Sequence, residues 1–558
     1  MENIRNKMIT KILKYKKLIL IAIVVLAFIL RFWQLNSYPA LNADEASIGY
    51  DAYSLIQTGH DQHGNSWPID FQSFNDYKPG LYVYIVLPFV KILGLTEWAV
   101  RIPNALIGVV SIYIIYLLTK ELFGKDKELF SLLAALFLAI SPWHIQFSRG
   151  GWEVNTATFF IMVGIFLFAK YFNTSKKNIL FLIGSMIFFV LSMYCYQATR
   201  VITPLLGLTL IAVYRKEIFA NLKPFFIAGI LGVLFLLPLL LDLTHGGVLN
   251  RAAGVGLFAD PGPRSRVEEQ RGEHGSVNSL VGKVLHNKVV NYSIAFLENW
   301  GKHFHGEFLF LSGDQVQRNK VPETGQMYLT DIVFLAVGGV FILRKKIGKS
   351  WHVILIWVFV GPIASALTFQ APSALRAENI VVPLVIMSAF GASEIIIFFS
   401  KYKKIAKFAY LVIGILIFWS FARYEQMYWV HMSKEYPYSS QYGVKELVKY
   451  VEANQDKYKK VLVTDRYDQP YVLFLFYMKY PPQKFQSEHT LTAKDQFGLS
   501  TVNHFDKYYF ASIKFDEAKP ENPNAMIIGT NEEITKEANI VKYIYGTNGF
   551  LYFKVVAN

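Results

Sequence analysis

Asp44 and Glu45 head a helical stretch running to about Gln57, directly after the first long apolar run of the chain. Two adjacent carboxylates can share a proton transfer: one takes the proton of an attacking hydroxyl, and the other raises its neighbour's pKa. Five cations stand at the edges of other apolar runs. They are Lys78, Arg101, Arg149 (in Ser-Arg-Gly-Gly-Trp-Glu), Arg200 (in Tyr-Gln-Ala-Thr-Arg) and Arg376 (in Ser-Ala-Leu-Arg-Ala-Glu-Asn). Arginine binds a phosphate through paired N–H donors, and lysine binds it as a point charge. A base with such cations is what sugar transfer from a lipid phosphate needs. The base activates an acceptor hydroxyl, and the cations stabilise charge growing on the departing phosphate.

Each residue also has a plainer reading. Acidic groups at a helix start complement the dipole. Single arginines at a membrane boundary snorkel to headgroups, or here pair with Glu97, Glu153 or Glu378. The functional reading draws its weight from position, which follows from the elements that carry these groups.

The 558 residues are 53% hydrophobic and only 17% charged, against about a quarter charged in soluble chains. Apolar runs at 18–33, 100–119, 129–142, 154–169, 179–194, 201–214, 225–241, 327–343, 351–369, 379–399 and 405–421 are candidate membrane spans, each approaching the roughly 20 residues that cross a bilayer core. Basic clusters in 1–17, 120–128, 170–178, 215–223, 344–349 and 401–404 then all fall on the cytoplasmic side. Leu81–Gly94 is apolar but short and contains Pro88 and Lys91; as a span it would invert the later basic loops, so an interfacial or re-entrant helix on the outer face is predicted. The expected fold is an α-helical polytopic membrane protein with about 11 transmembrane helices plus interfacial helices. A cytoplasmic N-terminus (1–17) leads into a transmembrane domain (18–423) with external loops 34–99 and 242–326, followed by a small extracytoplasmic α/β domain (424–558). In that tail, Val444–Ala453 is expected as a helix, and Lys460–Thr464, Asn524–Gly529, Ile540–Tyr545 and Phe550–Val556 as strands. On this topology the two carboxylates and all five cations face outward. External cations run against the bias that sets topology, and a shared anionic ligand explains them.

The net charge of +15 lies in the short cytoplasmic loops, so nucleic acid is not a predicted partner. Cys195 is alone, which excludes an intrachain disulfide and a cysteine-rich metal site. His60, His63, His144, His303 and His305 have spacings compatible with metal ligands but not diagnostic of them; a divalent metal is not favoured. A transporter or flippase for polyprenyl-linked lipids is the competing reading. Against it, no Gly/Pro-interrupted span recurs in two halves, and few ionisable residues sit mid-span.

The order and spacing of several short pieces resemble the C-type membrane glycosyltransferases, in particular the protein O-mannosyltransferase and aminoarabinose transferase-like group. The pieces are Asp44-Glu45; Asp76-Tyr-Lys-Pro-Gly-Leu-Tyr82; Gly94 with Arg101-Ile-Pro-Asn-Ala-Leu106; Phe147-Ser-Arg149 with Glu153; Tyr194-Cys-Tyr-Gln-Ala-Thr-Arg200; Phe308-Leu-Phe-Leu-Ser-Gly-Asp314; and Leu375-Arg376 with Pro383. The resemblance implies Asp44 as general base, with Glu45 supporting it or orienting the acceptor. Lys78 falls on a Lys-Pro-Pro lysine that contacts the carrier phosphate, although this chain reads Lys-Pro-Gly. Glu153 stands where relatives often carry an aspartate, as a second active-site carboxylate. The implied partners are a polyprenyl-phosphate-linked sugar donor, an acceptor protein, lipid or glycan, and membrane lipids. The implied reaction is an inverting displacement without cofactor, and the implied location is the plasma membrane.

Overall fold

Every apolar run singled out above is helical in the computed structural model. It describes residues 13–558 except 74–75, 244–253, 275–277, 345–346, 438, 440, 495–499 and 536–537. Arg5, Lys7 and Lys11 of the basic N-terminus, and Lys345 and Lys346 of a later basic loop, lie outside the described residues. The chain forms two units that interleave in sequence. Residues 1–31, 106–148 and 153–425 make a helical unit; 32–105, 149–152 and 426–558 make a mixed α/β unit.

Among the described residues, six helices are long and apolar enough to cross a bilayer: Glu97–Phe123, Glu153–Asn173, Leu222–Asp242, Lys349–Ala366, Glu378–Phe399 and Lys404–Glu435. Glu128–Ile140 and Pro142–Ser148, bent by 56°, make a broken seventh. The runs predicted at 18–33, 179–194, 201–214 and 327–343 form helices of 17, 17, 15 and 16 residues. At 1.5 Å per residue these reach about 23–26 Å, short of the roughly 30 Å core. A helix lies at each of the eleven runs predicted as spans, and among the described residues six or seven helices meet the spanning criterion.

Burial sorts the helices of the helical unit. The Glu153–Asn173 window is 83% buried, whereas Leu222–Asp242 is 17% and Lys404–Glu435 11% buried. The last two present Leu, Ile and Phe outward, as a surface in hydrocarbon requires. The Leu329–Arg344 and Val381–Phe399 helices meet through small residues. A Cβ on Gly391 would stand 1.8 Å from the Phe334 carbonyl oxygen and 2.8 Å from the Gly338 nitrogen. Close backbone approach of this kind is the usual basis of helix association in lipid. Gly391→Ala meets rigid backbone on both counts, so we expect it to cost at least the ~1–3 kcal/mol of an overpacked core, read as a lowered melting temperature in detergent.

The α/β unit is built on the seven-stranded sheet of the tail, in the order β4-β5-β6-β3-β7-β9-β8. The strands are β3 (Lys460–Thr464), β4 (Thr490–Leu491), β5 (Val502–Phe505), β6 (Tyr508–Ala511), β7 (Ala525–Gly529), β8 (Ile540–Tyr545) and β9 (Leu551–Ala557). β3 runs parallel to both β6 and β7, and the remaining pairings are antiparallel. The Val444–Asn454 helix buries Val444, Leu447, Val448 and Val451, one face at helical spacing. The Pro470–Met478 helix buries every residue from Pro470 to Phe476. It packs on the Ala43–Thr58 helix, where Gly49 leaves room: a Cβ there would stand 2.7 Å from the Phe476 ring. Leu81–Leu93 is a 13-residue helix, as predicted, and it belongs to this unit. A two-stranded hairpin of β1 (Asp70–Ser73) and β2 (Asp76–Pro79) completes the first-loop region.

Candidate functional site

The Ala43–Thr58 helix starts at Asn42, whose side chain accepts from the Glu45 backbone N–H at 3.0 Å while Glu45 Oε2 accepts from the Asn42 N–H at 3.3 Å. This reciprocal capping fixes the first turn and the rotamer of Glu45. Asp44 and Glu45 therefore point to different surroundings. Glu45 is buried and takes both Nε and Nη2 of Arg101, each at 2.7 Å. It also accepts from the Gly151 N–H at 2.8 Å. Arg101 gives its remaining N–H groups to the Leu35 and Pro39 carbonyls, at 2.9 Å, and to Ala40 at 3.2 Å.

With five donors on five protein acceptors, Arg101 has no N–H left for a phosphate. The sequence groups it with the phosphate-facing cations; the structure makes it the residue that folds the helix start onto the chain around Leu35–Ala40. Glu97, weighed as a partner of the external arginines, pairs with Lys445 instead.

Asp44 is the carboxylate that solvent reaches. Its side chain is 26% exposed and pairs with Lys78, itself 17% exposed. Lys78 sits on β2 opposite Phe71 of β1, so the hairpin register sets where its ammonium falls. The hairpin closes at Gly80, where a Cβ would stand 2.5 Å from the Phe71 ring and 2.6 Å from the Ile69 carbonyl oxygen. We expect Gly80→Ala to displace β2 and with it Lys78. Because the clash is with backbone as well as with the Phe71 ring, a lowered melting temperature is the expected reading.

Two turns on from Asp44, on the same helix face, lies a buried polar group that the sequence pattern alone did not single out. Asp51 accepts from the Gln62 N–H at 3.1 Å and from Gln62 Nε2 at 3.2 Å, and Ser47 Oγ lies 3.4 Å away. Burial first, and then the charge of Asp61, push the Asp51 carboxyl well above the usual carboxylate range. A signal for it exists: residues 44, 47 and 51 follow i, i+3, i+7 spacing on a helix whose buried residues include Ser47, Asp51 and Ser54.

Arg149 is also in this unit and is 1% exposed. It donates from Nε to Tyr428 Oη at 2.9 Å, and from Nη2 to the carbonyls of Trp33 at 2.7 Å and Tyr38 at 3.2 Å. Its guanidinium lies 4.8 Å from the Trp429 ring centroid. The glycines that follow Arg149 permit a close approach. A Cβ on Gly151 would stand 2.9 Å from Val100, so only glycine lets the Gly151 N–H reach Glu45. The tail contributes more than the sequence indicated. Gln441 Oε1 accepts from the Ala43 N–H at 2.7 Å, Tyr50 Oη donates to the Tyr480 carbonyl at 2.9 Å, and Gln486 Nε2 donates to Ser54 and Thr58. Asp44 thus stands on a helix gripped by the tail. Only the tertiary fold reveals these long-range bonds.

Glu153, Arg200 and Arg376 belong to the helical unit. Glu153 opens the Glu153–Asn173 helix, and its carbonyl accepts from Cys195 Sγ. Arg200 donates from Nε to the Met193 carbonyl at 3.2 Å. Arg376 reaches the Gln370 carbonyl at 3.2 Å and Gln370 Oε1 at 3.3 Å. Glu378, its proposed partner in the plainer reading, is buried and accepts from Thr158. The turn that carries Arg376 is pinned from the long loop. His303 Nε2 accepts from the Ser373 N–H at 3.2 Å, and Asp314 Oδ2 accepts from the Ala374 N–H at 2.6 Å. His303 Nδ1 donates to the Asn299 carbonyl, which fixes the neutral tautomer.

Burial lowers the His303 pKa from 6.5 to about 4. The unfolded chain takes this proton below pH 6.5 and the folded chain only near 4, so stability rises with pH across that window and His303's share is complete above it. His303→Gln should remove a pH-dependent share on the order of 3 kcal/mol, measured as the difference in melting temperature between pH 7.5 and 4.5. Among the described residues, no group of three or more His, Cys, Asp or Glu side chains is placed to hold a metal ion.

Residues 77–241 match the family model described as dolichyl-phosphate-mannose-protein mannosyltransferase. An uncharacterized protein of Aquifex aeolicus is 30% identical over 166 residues, and the putative mannosyltransferase YycA of Bacillus subtilis is 31% identical over 133 residues. The chain spans 32% and 19% of the length of these two relatives. In fold the likeness covers nearly everything. ArnT from Cupriavidus metallidurans, solved bound to undecaprenyl phosphate, superposes with a TM-score of 0.53 over 96% of this chain and 97% of that one, at 11% identity. AglB of Archaeoglobus fulgidus, an oligosaccharyltransferase solved with an inhibitory peptide and a dolichol-phosphate, gives 0.51 over 83% of this chain and 63% of that one, at 14% identity. The resemblance to C-type membrane glycosyltransferases holds in sequence over 77–241 and in fold across the chain.

Proposed function

We propose that the chain transfers a sugar from a polyprenyl-phosphate carrier to a hydroxyl of a protein, lipid or glycan at the outer face of the plasma membrane. The observation that carries this reading is the division of labour at the start of the Ala43–Thr58 helix: Glu45 is locked by Arg101, and Asp44 is solvent-reachable beside Lys78. In the proposed reaction the Asp44 carboxylate takes the proton of the acceptor hydroxyl as its oxygen attacks the anomeric carbon. The bond from that carbon to the phosphate oxygen breaks, and its electron pair leaves with the polyprenyl phosphate. Lys78, which pairs with Asp44, neutralises the charge of the departing phosphate. Arg200 and Arg376 are proposed as further cations for a lipid phosphate, and Glu153 as a second carboxylate. Arg101 and Arg149, buried and bonded to backbone carbonyls, are assigned to holding the helix start in place.

The class of donor is supported by the match to a dolichyl-phosphate-mannose family and by the likeness to two folds solved with a polyprenyl phosphate. The test uses purified protein in proteoliposomes, polyprenyl-phosphate hexoses and pentoses with β-linked labelled sugars, and a cell-envelope extract as acceptor. Transfer of one sugar with an α-linked product supports an inverting transferase. A β-linked product would refute direct displacement, and no transfer from any donor that binds would refute the enzyme.

A further inference from the structure

The Lys288–Lys302 helix is turned inside out. Among the described residues its buried side chains are polar, Asn291 and Asn299, followed by His303. Asn299 Nδ2 donates to the Thr368 carbonyl at 3.0 Å, so that face is fastened to the end of the Lys349–Ala366 helix. The opposite stripe is apolar and uncovered: Val289 is 77%, Ile294 41% and Leu297 59% exposed. The short Leu280–Leu285 helix repeats the pattern, with Gly282 buried and Leu280 and Val284 exposed. An apolar-out, polar-in helix is the reverse of what water selects. It is what a helix at a bilayer surface shows.

The neighbouring residues point to the same occupant. Trp300 Nε1 donates to the Phe359 carbonyl at 2.9 Å and its ring stacks on Phe359, itself 52% exposed on a membrane-spanning helix. The uncovered stripe is therefore continuous with the lipid-facing surface of the spans. Tyr292 and Trp300 are the residue types that gather at headgroup level, and Lys283, Lys288 and Lys302 have stems long enough to carry ammonium groups to lipid phosphates. The Gly262–Glu273 helix is tied to this segment through Arg271, which donates to the His286 carbonyl at 2.6 Å. It exposes Arg264, Arg266, Glu268 and Glu269, a face suited to water.

We infer that residues 280–302 form an interfacial raft whose apolar stripe, Leu280, Val284, Val289, Ile294 and Leu297, lies among the acyl chains of one leaflet with its lysines at the phospholipid phosphates. The raft holds the His303 end of the long loop at a fixed depth. This assignment does not depend on sugar transfer. Because Cys195 is the sole cysteine and is buried, single-site labelling tests it in the full-length chain. Ile294→Cys and Leu297→Cys are labelled with a fluorophore in phosphatidylcholine–phosphatidylglycerol nanodiscs, both with Cys195 present and after Cys195→Ala. Phe235→Cys serves as the lipid-facing reference and Arg266→Cys as the aqueous one. We expect nitroxide-chain lipids to quench positions 294 and 297 as strongly as 235 and several-fold more than 266. Quenching by a water-soluble agent at the level of 266 would overturn the inference. So would protection from both quenchers, which would indicate a polypeptide or a second copy of the chain on this face.

Discussion

Asp44→Asn leaves the protein folded and able to bind polyprenyl phosphate, yet lowers sugar transfer by about 10²–10⁴, the usual contribution of a positioned general base. The substitution keeps the size of the side chain and an oxygen that can accept from Lys78. What it removes is the capacity to take a proton. The helix start does not depend on Asp44, because Asn42, Glu45, Arg101 and Gln441 hold it. A melting temperature close to wild type with turnover lost is therefore the expected signature. Lys78→Ala should behave differently: it removes a cation from the departing phosphate and should lower transfer by about 10²–10³, with weaker donor binding as well. Asp44→Asn at wild-type turnover would remove Asp44 from the mechanism.

Arg101→Met is the largest structural loss we expect, about 3–5 kcal/mol, the cost of leaving one member of a buried ion pair without the other. Both partners are almost fully enclosed: the Arg101 side chain is 0% and that of Glu45 2% exposed. The arginine also satisfies three backbone carbonyls, of which that of Leu35 would be left buried without this donor and those of Pro39 and Ala40 partly buried. Arg101→Lys does not rescue, because an ammonium cannot span both Glu45 oxygens and three carbonyls at once. The double variant Arg101→Met with Glu45→Met should recover part of the loss by removing the orphaned charge, but not the part owed to the carbonyls. Thermal unfolding of the four proteins in one detergent measures this. A single variant as stable as wild type would contradict the account of Arg101.

How much of this was legible follows from the range over which each signal acts. The Asn42-to-Glu45 capping spacing and the acidic first turn are local, so the helix start could be read directly. The partner of Glu45 could not: Arg101 lies 56 positions along the chain, and a buried arginine reads the same in sequence as one awaiting a phosphate. Strands β3, β7, β8 and β9 follow apolar patches and were foreseen. β5 and β6 are four residues each, too short for periodicity to show, and β5 is interrupted by Asn503 and His504. The Pro470–Met478 helix is buried nearly all round, so it has no polar face to mark its period. The apolar runs gave all the helices of the helical unit's predicted spans, but run length overstates the number that meet a spanning length. The inside-out Lys288–Lys302 helix is legible only once burial is known.

The most direct test of the central claim follows both ends of the donor. In proteoliposomes, the sugar carries one isotope and the polyprenyl phosphate another, with acceptor extract on one side. The account predicts that sugar label enters the acceptor in step with the appearance of free polyprenyl phosphate, and that both stop in Asp44→Asn. Intact doubly labelled carrier crossing to the opposite leaflet, with no cleavage by wild type, would contradict it and make the protein a transporter.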